Sequence, residues 1–291
     1  MQNNENVSEI VAKIFNCTTT EITAINPIKK GMTNHSYTFV HQNKKYILRM
    51  PGEGTNKLID RQKEYDVYQK IIPLDIADEI IHIDPILGYK ITLFWENARV
   101  CDVQNPQDVA ASMATLRNFH NANLTVKHKF CPFEKIEFYE SLWKTNSEYA
   151  DYSATKKAVL SLKSRLQQYP KQMGLAHIDA VPDNFIFING GEIRLIDWEY
   201  SAMQDQHIDI AMFAVYAMYE RAKIEQLIDA YFCGGCPPAT RGKIYAYIAI
   251  CGLLWSNWCE YKKQLGVEFG KYALAQYQFA KDYYAIFEEE I

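Results

Sequence analysis

The sequence predicts an α+β protein of two lobes, a small antiparallel β-sheet lobe over residues 1–95 and a larger, mainly helical lobe over residues 96–291. Three observations predict this. β-like segments crowd into the first third of the chain. Helical apolar periodicity fills nearly everything after Trp95-Glu96-Asn97. One short strand-and-turn stretch, at about 175–197, interrupts those helices. At 291 residues the chain can give each lobe a core of its own.

In chain order, residues 6–15 read as a short helix, followed by β-like segments at Ile22–Lys30, His35–His41 and Lys45–Met50. The polar Gln42-Asn43-Lys44 suits a hairpin between the last two. Pro51-Gly52-Glu53-Gly54 is a break, Leu58–Ile72 has helical spacing, and Ile80–Ile83 and Tyr89–Phe94 complete a five-stranded sheet. Helices are expected at Val103–Asn121, Phe138–Tyr149, Ala154–Tyr169, His207–Arg221, Ile224–Phe232, Pro238–Leu265 and Phe269–Phe287. A hinge near 95–98 would leave a cleft between the lobes, a common place for a ligand.

Composition excludes several classes. The chain is 48% hydrophobic and 23% charged with a net charge of −4, which gives no reason to expect nucleic acid or anionic lipid as a partner. MQNNENVSEI has neither the basic region nor the apolar run of a secretory signal. The longest apolar stretch, AYIAICGLLW, falls well short of the ~20 residues of a spanning helix, so a cytoplasmic protein is expected. The seven cysteines are scattered. Cys233-Gly-Gly-Cys236 lacks the second Cys or His pair of a zinc site and reads as a reduced loop.

The chemistry concentrates in the interrupting stretch. His177-Ile178-Asp179 is followed, four residues on, by Asn184, and then by Ile193-Arg194-Leu195-Ile196-Asp197-Trp198-Glu199. Asn189-Gly190-Gly191-Glu192 is a strong turn between two apolar runs, so Asn184 and Asp197 should flank one hairpin with Asp179 just upstream. Oxygen donors gathered in this way suit phosphoryl transfer. The nucleophile must be oriented, and Mg²⁺ takes one or two protein oxygens besides waters and phosphates. Asp197 and Asn184 suit the metal, and Asp179 suits the acceptor hydroxyl and its proton. The bland alternative is that Asp179 and Asn184 cap turns and Asp197 opens a loop.

HxDxxxxN followed by a hydrophobic-Asp-Trp-Glu segment resembles the aminoglycoside phosphotransferase and choline kinase family, whose fold is protein-kinase-like. The resemblance runs from about residue 20 to 285 and implies ATP and Mg²⁺. GMTNHSY resembles the family's GLTN-type loop over the phosphates, which implies nucleotide contacts at Gly31, Thr33, Asn34 and Ser36. ILRMPGEGTNKLIDRQKE resembles the bacterial choline kinase pattern. It implies that Arg49 grips phosphate and that Glu64 on the following helix pairs with it. Adenine would lie at the hinge, beside Glu96.

LLWSNW resembles the family helix that carries a paired-tryptophan cage, which implies that Trp255 and Trp258 face a quaternary ammonium and that Tyr272 completes the cage. In an arbitrary helix, two Trp three residues apart would be core packing. His207-Ile208-Asp209-Ile210-Ala211 resembles the FDIA/WDLA element, with Asp209 bracing the catalytic loop beside His177 and Glu199. Animal relatives place an acid about two turns after that element; here the position is Tyr216, and Glu220 lies one turn further on. The resemblance therefore implies a choline kinase acting on two small molecules, choline and ATP. The alternatives are a kinase for ethanolamine, thiamine or an aminoglycoside, or a catalytically silent sensor.

Overall fold

The computed structural model describes residues 7–28, 34–52, 55 and 58–290. In chain order the elements are α1 (Val7–Phe15), β1 (Thr23–Pro27), β2 (Asn34–His41), β3 (Lys44–Pro51), α2 (Arg61–Ile71), β4 (Ile80–Ile83), β5 (Lys90–Leu93) and β6 (Arg99–Val100). They continue with α3 (Pro106–Asn121), α4 (Pro132–Ser141), α5 (Tyr152–Arg165), β7 (Met173–Ala176), β8 (Phe185–Phe187), β9 (Ile193–Leu195) and β10 (Ala202–Asp205). Helices α6 (Ile208–Tyr216), α7 (Arg221–Phe232), α8 (Pro238–Lys263) and α9 (Lys271–Glu290) complete the chain.

The chain forms two compact units. One is Met1–Arg99 with Phe187–Glu199, and the other is Val100–Ile186 with Tyr200–Ile291. The first boundary expected from the sequence, at residue 95, moves to 99, and the segment 187–199 joins the first unit rather than the helical one. The reason is local bonding: the Leu195 N–H reaches the Ile76 carbonyl at 2.7 Å, and Arg194 clasps Asp75.

The first unit holds an antiparallel sheet in the order β1-β2-β3-β5-β4. Gln42 and Asn43 take φ of 48° and 60°, the two left-handed positions of a type I′ turn, so β2 and β3 pair as a tight hairpin. Phe39, Tyr46, Leu48 and Ile91 form one buried face under Ile10 and Val11 of α1. Alternation along a strand then turns Ile47 and Arg49 to the other face. Helix α2 is capped by Asp60, whose carboxylate accepts the Lys63 N–H, and it buries Arg61, Glu64, Val67, Tyr68 and Ile71. That spacing of i, i+3, i+4 and i+7 is an inward stripe, with two charged residues placed inside it.

The second unit is built around α8, whose residues are buried almost throughout. Gly252 permits the packing of α8 on α9: a Cβ there would lie 2.6 Å from the Gln276 carbonyl oxygen and 2.7 Å from the Ala280 nitrogen. Helix α4 begins six residues earlier than its periodicity suggests and ends at Ser141 rather than Tyr149. Pro132 at the first helical position starts it, and Trp143 beyond its end donates to the Asn257 carbonyl. Strand β10 has no β-like sequence pattern and forms because it pairs antiparallel with β7, Ala202 opposite Ala176. Among the described residues, no helix is long and apolar enough to cross a membrane.

Candidate active site

In the first unit Arg49 stands on the sheet face opposite α1. Its Nη2 donates to Glu64 at 2.5 Å, and its Nη1 donates to Asp197 at 3.0 Å and Glu199 at 3.3 Å. Arg61 is a second buried guanidinium, one turn before Glu64. It reaches Glu64 and Glu199, each at 3.0 Å, and Asn34 Oδ1 at 3.2 Å. Asn34 Nδ2 donates in turn to Glu199 at 2.9 Å. Burial alone would disfavour the Arg49 charge, but Glu64, Glu199 and Asp197 outweigh it and hold the guanidinium protonated. Burial likewise opposes the Glu64 charge, and Arg49, Lys90 and Arg61 keep that carboxyl below its usual range.

Three carboxylates thus meet two guanidiniums, leaving one negative charge over. Glu64, Asp197 and Glu199 each offer an oxygen within 4.8 Å of the others. Glu64 and Glu199 side chains are 1% exposed and committed to the arginines, whereas Asp197 is 30% exposed and takes a single guanidinium contact. Burial and then the Glu199 charge push Asp197 up to about 7, against the pull of Arg49 and Lys90. A carboxyl held in that condition is stabilised as an anion by a hard cation, so the donor set fits Mg²⁺ through Asp197. Of the other nucleotide residues, Ser36 lies on β2 opposite Arg49, and Glu96 is exposed with Lys45 3.7 Å away. Gly31 and Thr33 lie outside the described residues.

In the second unit β7 ends at Ala176 and the loop His177–Asn184 follows. Ile178 takes a φ of 70°, which a β-branched residue adopts only under constraint. The constraint is Asp209, fully buried in the first turn of α6. Its two oxygens accept the His177 and Ile178 N–H groups, each at 2.7 Å. His120 Nε2 lies 3.0 Å from the same carboxylate, and Tyr231 Oη lies 2.7 Å from His120 Nδ1. The tautomer that satisfies all three has Tyr231 donating to Nδ1 and Nε2–H donating to Asp209. A histidine at a helix end carries no local signal of a partner 89 residues away.

Asp179 is half-buried at the tip of this loop. Its carbonyl accepts the Val181 N–H at 2.7 Å and Asn184 Nδ2 at 2.8 Å, and its Oδ2 receives Nδ2 at 3.3 Å. With its amide nitrogen so occupied, Asn184 has Oδ1 as the side-chain atom that can serve as an oxygen ligand. The turn Asn189–Gly191 joins β8 and β9 as expected, with Gly190 and Gly191 at φ of 85° and 84°. Asn184 belongs to the second unit and Asp197 to the first.

The expected cage residues fall in one aromatic array within the second unit. Tyr200, Trp255, Trp258, Phe269, Tyr272 and Tyr216 follow one another ring to ring at 5.4–6.4 Å. Trp255 and Trp258 are 7% and 3% exposed, so they form the floor of the array, and the half-buried Tyr200, Tyr216, Phe269 and Tyr272 form its accessible part. Tyr200 and Phe269 join the array without a sequence signal of their own: Tyr200 lies in a loop, and Phe269 lies just before α9, three residues from Tyr272. Glu220 is exposed at the N-cap of α7. Tyr216 donates its hydroxyl to Asp183 Oδ2 at 2.6 Å. Burial first, then the Cys259, Tyr216, Asp179 and Asp183 charges, oppose ionisation of Tyr272.

A basic residue on a central strand locked to a glutamate on the following helix, and an Asp–Asn loop pinned from beneath by a buried carboxylate, are how kinase-like phosphotransferases handle phosphate and acceptor. The fold and these two groups place the protein in that class. A family model described as choline/ethanolamine kinase matches residues 25–227, and the chain belongs to that family. It is an ATP-dependent phosphotransferase. Protein LicA of Haemophilus influenzae is 25% identical over 261 residues, which cover 84% of this chain and 75% of that protein. The crystal structure of choline kinase LicA from Streptococcus pneumoniae matches with a TM-score of 0.84 and 31% identity, covering 97% of this chain and all of that one. An aminoglycoside phosphotransferase at 15% identity shares the fold, with a TM-score of 0.70 over 99% of this chain and 100% of its own.

Proposed function

We propose that the protein is a choline kinase that transfers the γ-phosphate of ATP to the hydroxyl of choline, giving phosphocholine and ADP. The observation that carries this reading is the pinned loop: Asp179 is held half-exposed by a strained Ile178 and a buried Asp209, in the same unit as an aromatic array suited to a quaternary ammonium. The 31% identity to the Streptococcus pneumoniae choline kinase supports the same acceptor.

In this reading Asp179 orients the choline hydroxyl and takes its proton as the oxygen bonds to the γ-phosphorus. The bond from that phosphorus to the β,γ-bridging oxygen breaks, and ADP leaves with the electron pair. Arg49 presents its guanidinium to phosphate oxygens, and Glu64 keeps it aimed. Ser36, opposite Arg49 on the neighbouring strand, contacts the phosphates, and Glu96 contacts the adenine. Asn34 serves by holding Glu199 and Arg61, since its side chain is committed to both. Mg²⁺, which Asp197 and Asn184 Oδ1 would hold, neutralises charge on the phosphate oxygens when bound. ATP and Mg²⁺ as working partners suit a cytoplasmic location.

The test has two parts. ATP consumption is measured with choline, ethanolamine, thiamine and kanamycin, and choline should give the highest kcat/KM. Asp179→Asn should lower choline turnover at least ~100-fold while choline still raises the melting temperature. Wild-type turnover in that variant would remove Asp179 from the mechanism, and preference for another acceptor would overturn the choline reading.

A further inference from the structure

Near the end of α6, at the position where animal relatives carry an acid, this chain has Tyr216. The structure puts a carboxylate there by another route. Asp183 lies in the loop between Asp179 and Asn184, and its Oδ2 receives the Tyr216 hydroxyl at 2.6 Å. Tyr216 in turn packs its ring against Tyr272 at 5.8 Å, the two planes at 66°. Two bonds stiffen the loop around Asp183: the Val181 N–H to the Asp179 carbonyl at 2.7 Å and the Asn184 N–H to the Val181 carbonyl at 2.9 Å. Pro182 also fixes its own backbone φ. Asp183 is exposed, as a group that meets a soluble substrate must be.

We propose that Asp183, held in place by the Tyr216 hydroxyl, is the anionic wall of the acceptor's cation pocket and selects a positively charged alcohol over a neutral one. The inference rests on the choline kinase reading and adds the source of negative charge to it. One short loop then carries both ends of acceptor recognition: Asp179 for the hydroxyl and Asp183 for the ammonium. The Tyr216 bond occupies Oδ2 and leaves Oδ1 to face the cation. A trimethylammonium has no N–H to donate, so Asp183 acts on choline through charge alone, with aromatic rings supplying the contact surface. A primary ammonium would also hydrogen-bond to Oδ1, so ethanolamine should depend on Asp183 more than choline does.

The experiment compares choline with its uncharged carbon isostere, 3,3-dimethylbutan-1-ol, in the wild-type protein, Asp183→Asn and Tyr216→Phe. Asp183→Asn should raise KM for choline about tenfold, with KM for ATP and for the isostere within about twofold of wild type. Tyr216→Phe should move choline in the same direction by a smaller factor. Equal changes for choline and the isostere would mean that Asp183 acts through its neighbour Asn184 on the phosphate end, and would overturn the inference; so would no change for either. Absence of wild-type turnover with choline would overturn the acceptor reading and this inference with it. Unchanged unfolding midpoints in both variants verify that the fold is intact.

Discussion

At the scale of single residues, the first unit is organised around the mutual neutralisation of Arg49, Arg61, Glu64 and Glu199. Each arginine touches both glutamates, and neither glutamate side chain is more than 1% exposed. Such a set is stable as a whole and fragile in its parts, because removing one member strands a charge out of reach of water. Arg61→Ala is therefore expected to cost roughly 3–5 kcal/mol in urea unfolding, far more than an exposed ion pair. Arg61→Lys should recover only part of it, since one ammonium cannot span Glu64, Glu199 and Asn34 as the planar fork does. A wild-type unfolding midpoint in Arg61→Ala would show that the four charges are not coupled. The same geometry explains why the strand cation is Arg rather than Lys: one guanidinium bonds Glu64 through Nη2 while Nη1 reaches Asp197 and Glu199.

At the scale of elements, the close approach of α8 and α9 decides the packing beneath the aromatic array. Trp255 and Trp258 are on α8 and Tyr272 is on α9, so the separation of these helices sets the spacing of the rings. Gly252 sets that separation. Glycine to alanine in a helix interior ordinarily gains up to ~1 kcal/mol from propensity. Here the new Cβ would meet backbone atoms at 2.6 and 2.7 Å, and backbone cannot swing aside as a side chain can. Gly252→Ala is expected to destabilise by roughly 2–4 kcal/mol, a reversal of the propensity sign. The check is the urea midpoint at unchanged m-value; a stabilised variant would show that the helices separate without cost.

At the scale of the whole molecule, stability should carry an acid-side dependence traceable to one group. His207 is buried between Tyr231 and Phe232, and among the described residues neither ring nitrogen has a hydrogen-bond partner. Asp205, its nearby carboxylate, is already engaged by Lys243 and by Tyr247. Burial, reinforced by the Lys243 charge, depresses His207 to about 4. An unfolded histidine titrates near 6.5, so between pH 6.5 and 4 the unfolded chain binds a proton that the folded chain refuses. The neutral-ring contribution is thus fully present above pH 6.5. It is lost as pH falls to about 4, by about 3 kcal/mol in all. Denaturant unfolding at pH 7 and pH 4.5 should show a smaller loss in His207→Phe, which keeps a ring against Phe232 but cannot titrate. Equal losses in the two proteins would remove His207 as the source.

Most of the layout was legible from the amino-acid order, because the features that encode it are local. Asn43 in a two-residue turn, Gly190-Gly191 between two apolar runs, and the shift from alternating to helical periodicity near residue 97 act over a few residues and survive any packing. The HxDxxxxN spacing is local too, and it identified the loop that bears Asp179 and Asn184. What the chain order concealed are partnerships that cost no local signal. Arg61 reads as an ordinary helix charge until Glu199, 138 residues later, is beside it. His120 reads as packing until Asp209 arrives. Strand β10 has no β pattern and exists only because β7 offers it an unpaired edge. Asp183 reads as one more loop acid between Asp179 and Asn184 until Tyr216 bonds it. The sequence by itself determined the order of elements and the reactive loop, since turns and periodicities are written in neighbouring residues. Tertiary structure alone decided which buried charges neutralise one another and where the spare carboxylate points, because Coulomb and hydrogen-bond energies depend on distances in space and take no account of separation along the chain.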